Sequence, residues 1–126
     1  MTTPKLRILL ADDDLDNREV THFILANDGF DVVCANGSSD LLKVAKEQRF
    51  DAYLIDNWMP EITGVEVCRQ LKEFDPLTPV IFYSAAVLET DIRQALEAGA
   101  QCYLTKPADI GDLVGTVRTA IAERPI

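Results

Sequence analysis

Residues 53–60 read YLIDNWMP. The apolar run Tyr53-Leu54-Ile55 stops on a carboxylate, Asp56, and a proline follows at residue 60. A short run without polar alternation predicts a strand covered on both faces, as in parallel sheets, and a charge at its end predicts that the strand opens onto a site. The same signal recurs along the chain. Leu6 to Ala11 (LRILLA), Phe30 to Ala35 (FDVVCA), Ala52 to Ile55 (AYLI), Val80 to Tyr83 (VIFY) and Cys102 to Leu104 (CYL) are predicted as five strands.

Helical patterns fill the intervals. Val20, Phe23 and Ile24 share one face of a first helix that opens after Asp14, a favoured N-cap residue, and stops at Gly29. Leu41, Leu42 and Ala45 mark a second, opened by the turn Asn36-Gly37-Ser38-Ser39. Thr63 and Glu66 have capping-box spacing for a third, with Val65, Cys68 and Leu71 inward. Ile92, Ala95 and Leu96 mark a fourth closed by Gly99; Ile110, Leu113, Val114, Val117 and Ile121 mark a fifth running to Pro125. Strict alternation of strand and helix predicts an α/β protein, a single doubly wound (βα)5 domain over residues 1–126 with helices on both faces of a parallel sheet. No linker or change of composition suggests an output domain on this chain.

With 48% hydrophobic and 26% charged residues, the 126-residue chain has the composition of one globular domain. Its formal net charge of −9 opposes non-specific binding to nucleic acid or an anionic membrane, so a basic partner fits better. Cys34, Cys68 and Cys102 are odd in number and too far apart for a local metal knuckle; they read as small apolar fillers in a reducing compartment. The start of the chain reaches charged residues too soon for a signal-peptide core or a membrane span, which makes the cytoplasm the default location.

In an open parallel sheet, ligands bind beyond the carboxyl ends of the strands. Asp12, Asp13 and Asp14 follow the first strand, Asp56 the third, Ser84 with two alanines the fourth, and Thr105-Lys106-Pro107 the fifth. If the first and third strands are neighbours, Asp12, Asp13 and Asp56 converge. Two carboxylates about 4 Å apart repel by roughly 4 kcal/mol at an effective dielectric near 20, so the cluster calls for protons or a cation. Hard oxygen ligands without His or Cys suit Mg²⁺ and argue against zinc. Lys106 supplies a positive charge able to pair with Asp56 and then with a phosphoryl group on it, and Ser84 offers a hydroxyl to the same group. The lone histidine, His22, falls on the first helix away from this cluster and reads as an ordinary surface residue.

These motifs, LRILLADDD, LIDNWMPEITG, IFYSAA and YLTKP, resemble those of the response-regulator receiver domains of two-component signalling, and the likeness covers essentially the whole chain. The resemblance implies a flavodoxin-like sheet of order 2-1-3-4-5. It also implies that Asp56 accepts a phosphoryl group from a histidine kinase or a histidine phosphotransfer protein. Asp13 would touch Mg²⁺ directly and Asp12 through water, with the backbone carbonyl of Trp58 completing the ligands beside Asp56; Mn²⁺ is an expected substitute. Ser84 matches the switch hydroxyl, Ala85 its small neighbour, Tyr103 the aromatic switch and Lys106 the lysine, with a cis Lys106-Pro107 bond. Phosphorylation would draw Ser84 inward, let Tyr103 rotate into the space, and repack the surface of the fourth helix, fifth strand and fifth helix. A downstream effector, or a second copy in a weak dimer, would bind there; a monomer is the alternative. The family's members are signalling domains that catalyse only their own phosphorylation and dephosphorylation.

Two positions depart from the commonest pattern. Trp58 is bulky for the rim of such a site, and its indole is expected to shield an acyl phosphate from water. Gly111 and Gly115 lie inside the fifth helix, each costing about 1 kcal/mol relative to Ala. Two rivals are a degenerate receiver acting only as an interaction module, and an aspartyl-nucleophile phosphatase of the haloacid-dehalogenase type. The second expects a Thr or Val in its DxDx motif, which Asp12-Asp13-Asp14-Leu15-Asp16 lacks.

Overall fold

The computed structural model describes residues 4–125. Five strands, β1 (Arg7–Ala11), β2 (Asp31–Ala35), β3 (Ala52–Ile55), β4 (Val80–Ser84) and β5 (Cys102–Thr105), alternate with five helices, α1 (Leu15–Asn27), α2 (Ser38–Glu47), α3 (Gly64–Phe74), α4 (Glu89–Glu97) and α5 (Ile110–Ala122). The strands form one parallel sheet in the order β2-β1-β3-β4-β5. Each predicted strand lies within a residue of its observed bounds. The central strands are apolar throughout because both faces are covered. Leu9, Ala11, Tyr53, Ile55, Val80 and Phe82 pack with Leu41, Val67, Cys68, Leu71 and Ala95 on the side of α2, α3 and α4. Ile8, Leu10, Leu54 and Ile81 pack with Leu25, Leu113, Val117 and Ile121 on the side of α1 and α5.

The helix ends follow local chemistry. Asp14 caps α1 by accepting from the Asn17 N–H, Thr63 caps α3 by accepting from the Glu66 N–H at 3.3 Å, and Asp109 caps α5 through the Asp112 N–H. Gly29 and Gly99, just past α1 and α4, take φ of +96° and +110°, where a Cβ would be strained. At Thr63 only the threonine half of the capping box forms among the described contacts; the Glu66 carboxylate instead pairs with Arg69.

Other details differ from the sequence reading. On α1 the inward residues are Thr21 and Leu25, with Ile24 partly covered, whereas Val20 and Phe23 are 59% and 70% exposed. Helical spacing marks a face without fixing how the helix rolls onto the sheet, and packing turns Thr21 rather than Val20 inward. Leu96 and Ile110 are also exposed, and α5 ends at Ala122 rather than at Pro125. Ser38 and Ser39 belong to the first turn of α2 rather than to the preceding turn. Of the cysteines, Cys68 is fully buried and Cys102 half-buried, but Cys34 is exposed, because it sits on the edge strand β2.

Candidate functional site

β1 and β3 are direct neighbours in register, Ala11 beside Ile55, so the residues that follow them meet at one edge of the sheet. Asp12, Asp13 and Asp56 each place a carboxylate oxygen within 4.8 Å of the others. Asp12 and Asp56 are buried and Asp13 is exposed, so the cluster has a closed floor and an open rim. All its donors are hard oxygens held close together, which fits Mg²⁺ with waters in its remaining positions.

Every oxygen of the buried pair has a partner. Lys106 Nζ lies 2.5 Å from Asp12 Oδ2 and 2.9 Å from Asp56 Oδ2. The Ser84 hydroxyl donates to Asp56 Oδ1 at 2.8 Å, the Trp58 N–H donates to the same oxygen at 3.0 Å, and the Asp14 N–H donates to Asp12 Oδ1 at 3.0 Å. Burial alone pulls the Lys106 ammonium below its ordinary value; the hydrogen bonds and charges of Asp12 and Asp56 outweigh it and hold the group above. The Tyr83 ring lies beneath that ammonium, 5.3 Å from Nζ to its centroid. The Lys106-Pro107 peptide bond is cis. A crevice of about 220 Å³, lined by Asn17, Thr21, Tyr83 and Pro107, opens beside Lys106.

Ser84 ends β4 fully buried, its oxygen also accepting the Ala86 N–H, while Ala85 between them is exposed. Tyr103 stacks on Phe82, ring centroids 5.5 Å apart and planes 8° from parallel, and its hydroxyl donates to the Ala86 carbonyl. Ser84 therefore already points at Asp56 and Tyr103 is already tied to the loop after β4, the inward arrangement that the sequence reading assigned to the phosphorylated form. Trp58 is 62% exposed at the rim. His22 lies exposed on α1.

Sequence reasoning missed three neighbours of the site. Tyr83 read only as a strand residue; its contact depends on how β5 returns beside β4. Gly64 approaches so closely that a Cβ there would lie 2.5 Å from the Asp56 carbonyl oxygen. Glu61 adopts φ of +72°, the only non-glycine described in the left-handed region, and nothing in its residue type signals that.

A carboxylate cluster beside a lysine and a hydroxyl, at the carboxyl edge of a five-stranded parallel sheet, defines a small α/β protein built for a divalent cation and a phosphoryl group. The sequence matches the response regulator receiver domain over residues 8–118, and the chain belongs to that family. Similar proteins include the transcriptional regulatory protein ZraR of Escherichia coli K12, 34% identical over 97% of this chain and 28% of the relative, and the DNA-binding response regulator MtrA of Mycolicibacterium smegmatis, 34% identical over 96% of this chain and 53% of the relative. The chain thus spans about half or less of these curated relatives. A CheY-like receiver from Methanospirillum hungatei JF-1 superposes with a TM-score of 0.91 at 26% identity, covering 95% of this chain and 96% of that one. The receiver domain of sensor histidine kinase PA1611 from Pseudomonas aeruginosa PAO1 superposes with a TM-score of 0.88 at 27% identity, covering 95% and 100%, and holds a magnesium ion in its active-site cleft. The chain is a receiver domain, the signalling module of two-component systems. Among the described residues no helix is long and apolar enough to cross a membrane.

Proposed function

We propose that Asp56 is the phosphoacceptor and that Asp12, Asp13, Asp56 and the Trp58 backbone carbonyl hold Mg²⁺, with Mn²⁺ able to replace it. The observation that carries this reading is the meeting of Lys106, Ser84 and the Trp58 N–H on the two oxygens of a single buried carboxylate. An oxygen of Asp56 attacks phosphorus, the P–N bond of a phosphohistidine breaks as the O–P bond forms, and the imidazole leaves with the electron pair. No general base is needed, since the nucleophile is already ionised. Lys106 and the Ser84 hydroxyl turn from the carboxylate to the phosphoryl oxygens, and Ala85 leaves room for them. When bound, Mg²⁺ neutralises charge on the transferred group.

The donor is a histidine kinase or a histidine phosphotransfer protein, and the same residues return the phosphoryl group to water, so the domain catalyses only its own phosphorylation and dephosphorylation. Phosphorylation holds Ser84 and Tyr103 in the inward arrangement they already take here, which shifts the population of α4-β5-α5 surfaces toward the one that an effector or a second copy binds better. The net charge of −9 supports a domain that does not itself bind nucleic acid, and we read it as cytoplasmic. Incubation with Mg²⁺ and acetyl phosphate, read by intact mass, tests the reading: one phosphoryl group on the wild type and none on Asp56→Asn. Equal labelling of both would overturn it.

A further inference from the structure

The β3–α3 loop, residues 56–63, is pinned to the start of α2 by contacts that the chemistry of the site does not use. Ser38 is fully buried, and its hydroxyl lies 2.5 Å from the Ile62 carbonyl and 3.1 Å from that of Pro60. Beside it the Ser39 hydroxyl donates to the Glu61 carboxylate at 2.7 Å. Gly37 caps α2 without a side chain, and a Cβ built there would lie 3.4 Å from Glu61 Oε1, so the Glu61 carboxylate stands at the N-terminus of a helix that has no cap of its own. To reach it Glu61 takes φ of +72°, a conformation that costs a non-glycine residue on the order of 1 kcal/mol and persists only where its surroundings impose it.

What this loop offers the site is backbone. The Asn57 and Pro60 carbonyls accept the Gly64 and Ile62 N–H groups, while the Trp58 carbonyl accepts no hydrogen bond among the described residues. We propose that Ser38 and Glu61 are positioning residues: they clamp the β3–α3 loop to α2 so that the Trp58 carbonyl faces the carboxylate cluster, and they thereby set the affinity of the site for its cation. This rests on the metal reading above. Groups that orient a ligand from behind typically change metal affinity by about tenfold or more when removed.

The test measures the Mg²⁺ dissociation constant by calorimetry and by emission of Trp58, the only tryptophan in the chain, together with the thermal midpoint, for wild type, Ser38→Ala, Glu61→Gly and Asp13→Asn. Ser38→Ala is expected to weaken Mg²⁺ binding about tenfold. Glu61→Gly separates positioning from simple stability, because glycine takes positive φ without strain; it should keep or raise the thermal midpoint while weakening Mg²⁺ binding several-fold. If Ser38→Ala does not fold, Glu61→Gly decides alone. Wild-type affinity in Glu61→Gly overturns the clamp while leaving the metal site standing. A wild type that binds no Mg²⁺, or an Asp13→Asn that binds it unchanged, overturns the metal site and the clamp with it.

Discussion

Lys106 and Asp56, at the ends of β5 and β3, meet through a 2.9 Å ion pair although β4 lies between their strands. The same ammonium holds Asp12 at 2.5 Å, so two buried carboxylates share one positive charge. Lys106→Met would leave both without a counter-charge, and breaking a buried pair from one side destabilises by about 3 kcal/mol. Urea unfolding checks this. Millimolar Mg²⁺ should return part of the lost stability in this variant by supplying a replacement cation to the folded state. An equal effect of Mg²⁺ on wild type and variant would contradict that account.

Trp58 anchors Asp56 with its backbone N–H, while its indole stays exposed over the rim. The shielding role expected of that indole would limit the approach of water to an acyl phosphate without contact with the reacting atoms. Trp58→Ala is expected to lose its phosphoryl group about threefold faster, equivalent to about 0.7 kcal/mol of barrier. Decay of label after removal of acetyl phosphate gives the rate, and an unchanged lifetime would remove the shielding role.

Two glycines of opposite character test how far local packing dictates residue choice. At Gly64 a Cβ would lie 2.5 Å from the Asp56 carbonyl oxygen and 2.8 Å from the Asn57 Cα, both backbone atoms, so Gly64→Ala must displace the strand end that presents Asp56. A loss of about 2 kcal/mol is expected, with slower labelling by acetyl phosphate. At Gly115, in the middle of α5, a Cβ meets nothing within 4 Å. Gly115→Ala should gain up to about 1 kcal/mol and raise the thermal midpoint by a few degrees without affecting labelling.

Burial pushes the Cys68 thiol up to about 11 from 9.0, against the lowering pull of Lys72 and Arg69. The folded state therefore keeps this proton to higher pH than the unfolded chain. The stability it contributes is fully present below pH about 9 and is lost as pH rises through about 11, a change of no more than about 3 kcal/mol. Tyr53, raised by burial and by the Asp75 carboxylate that accepts its hydroxyl, adds to the same alkaline loss. Urea midpoints between pH 8 and 11 should fall in the wild type and fall less in Cys68→Ala. The exposed Cys34 should react with a thiol reagent in the native state while Cys68 waits for unfolding.

Much of the fold was legible because its signals are local. An unbroken apolar run such as Ala52 to Ile55 has only one comfortable place, between two helical layers, and the caps Asp14 and Thr63 act within their own first turns. The acidic residues after β1, the lone Asp56, Ser84 and Lys106 were legible as strand-end groups for the same reason. Patterning failed on α1, where Val20 and Phe23 have helical spacing yet face solvent, because periodicity reports that a face exists but not which way the helix is turned.

The chain by itself determined five strand-helix units and the chemical types at their ends, since backbone propensity and burial pattern act over a few residues. Tertiary structure alone decided that Asp12 and Asp56 share one ammonium, that Tyr83 lies beneath it, and that Glu61 strains its backbone to stand at the start of α2. Those relationships join residues from separate turns of the chain, and they depend on strand order and packing distance, which no short window of sequence encodes.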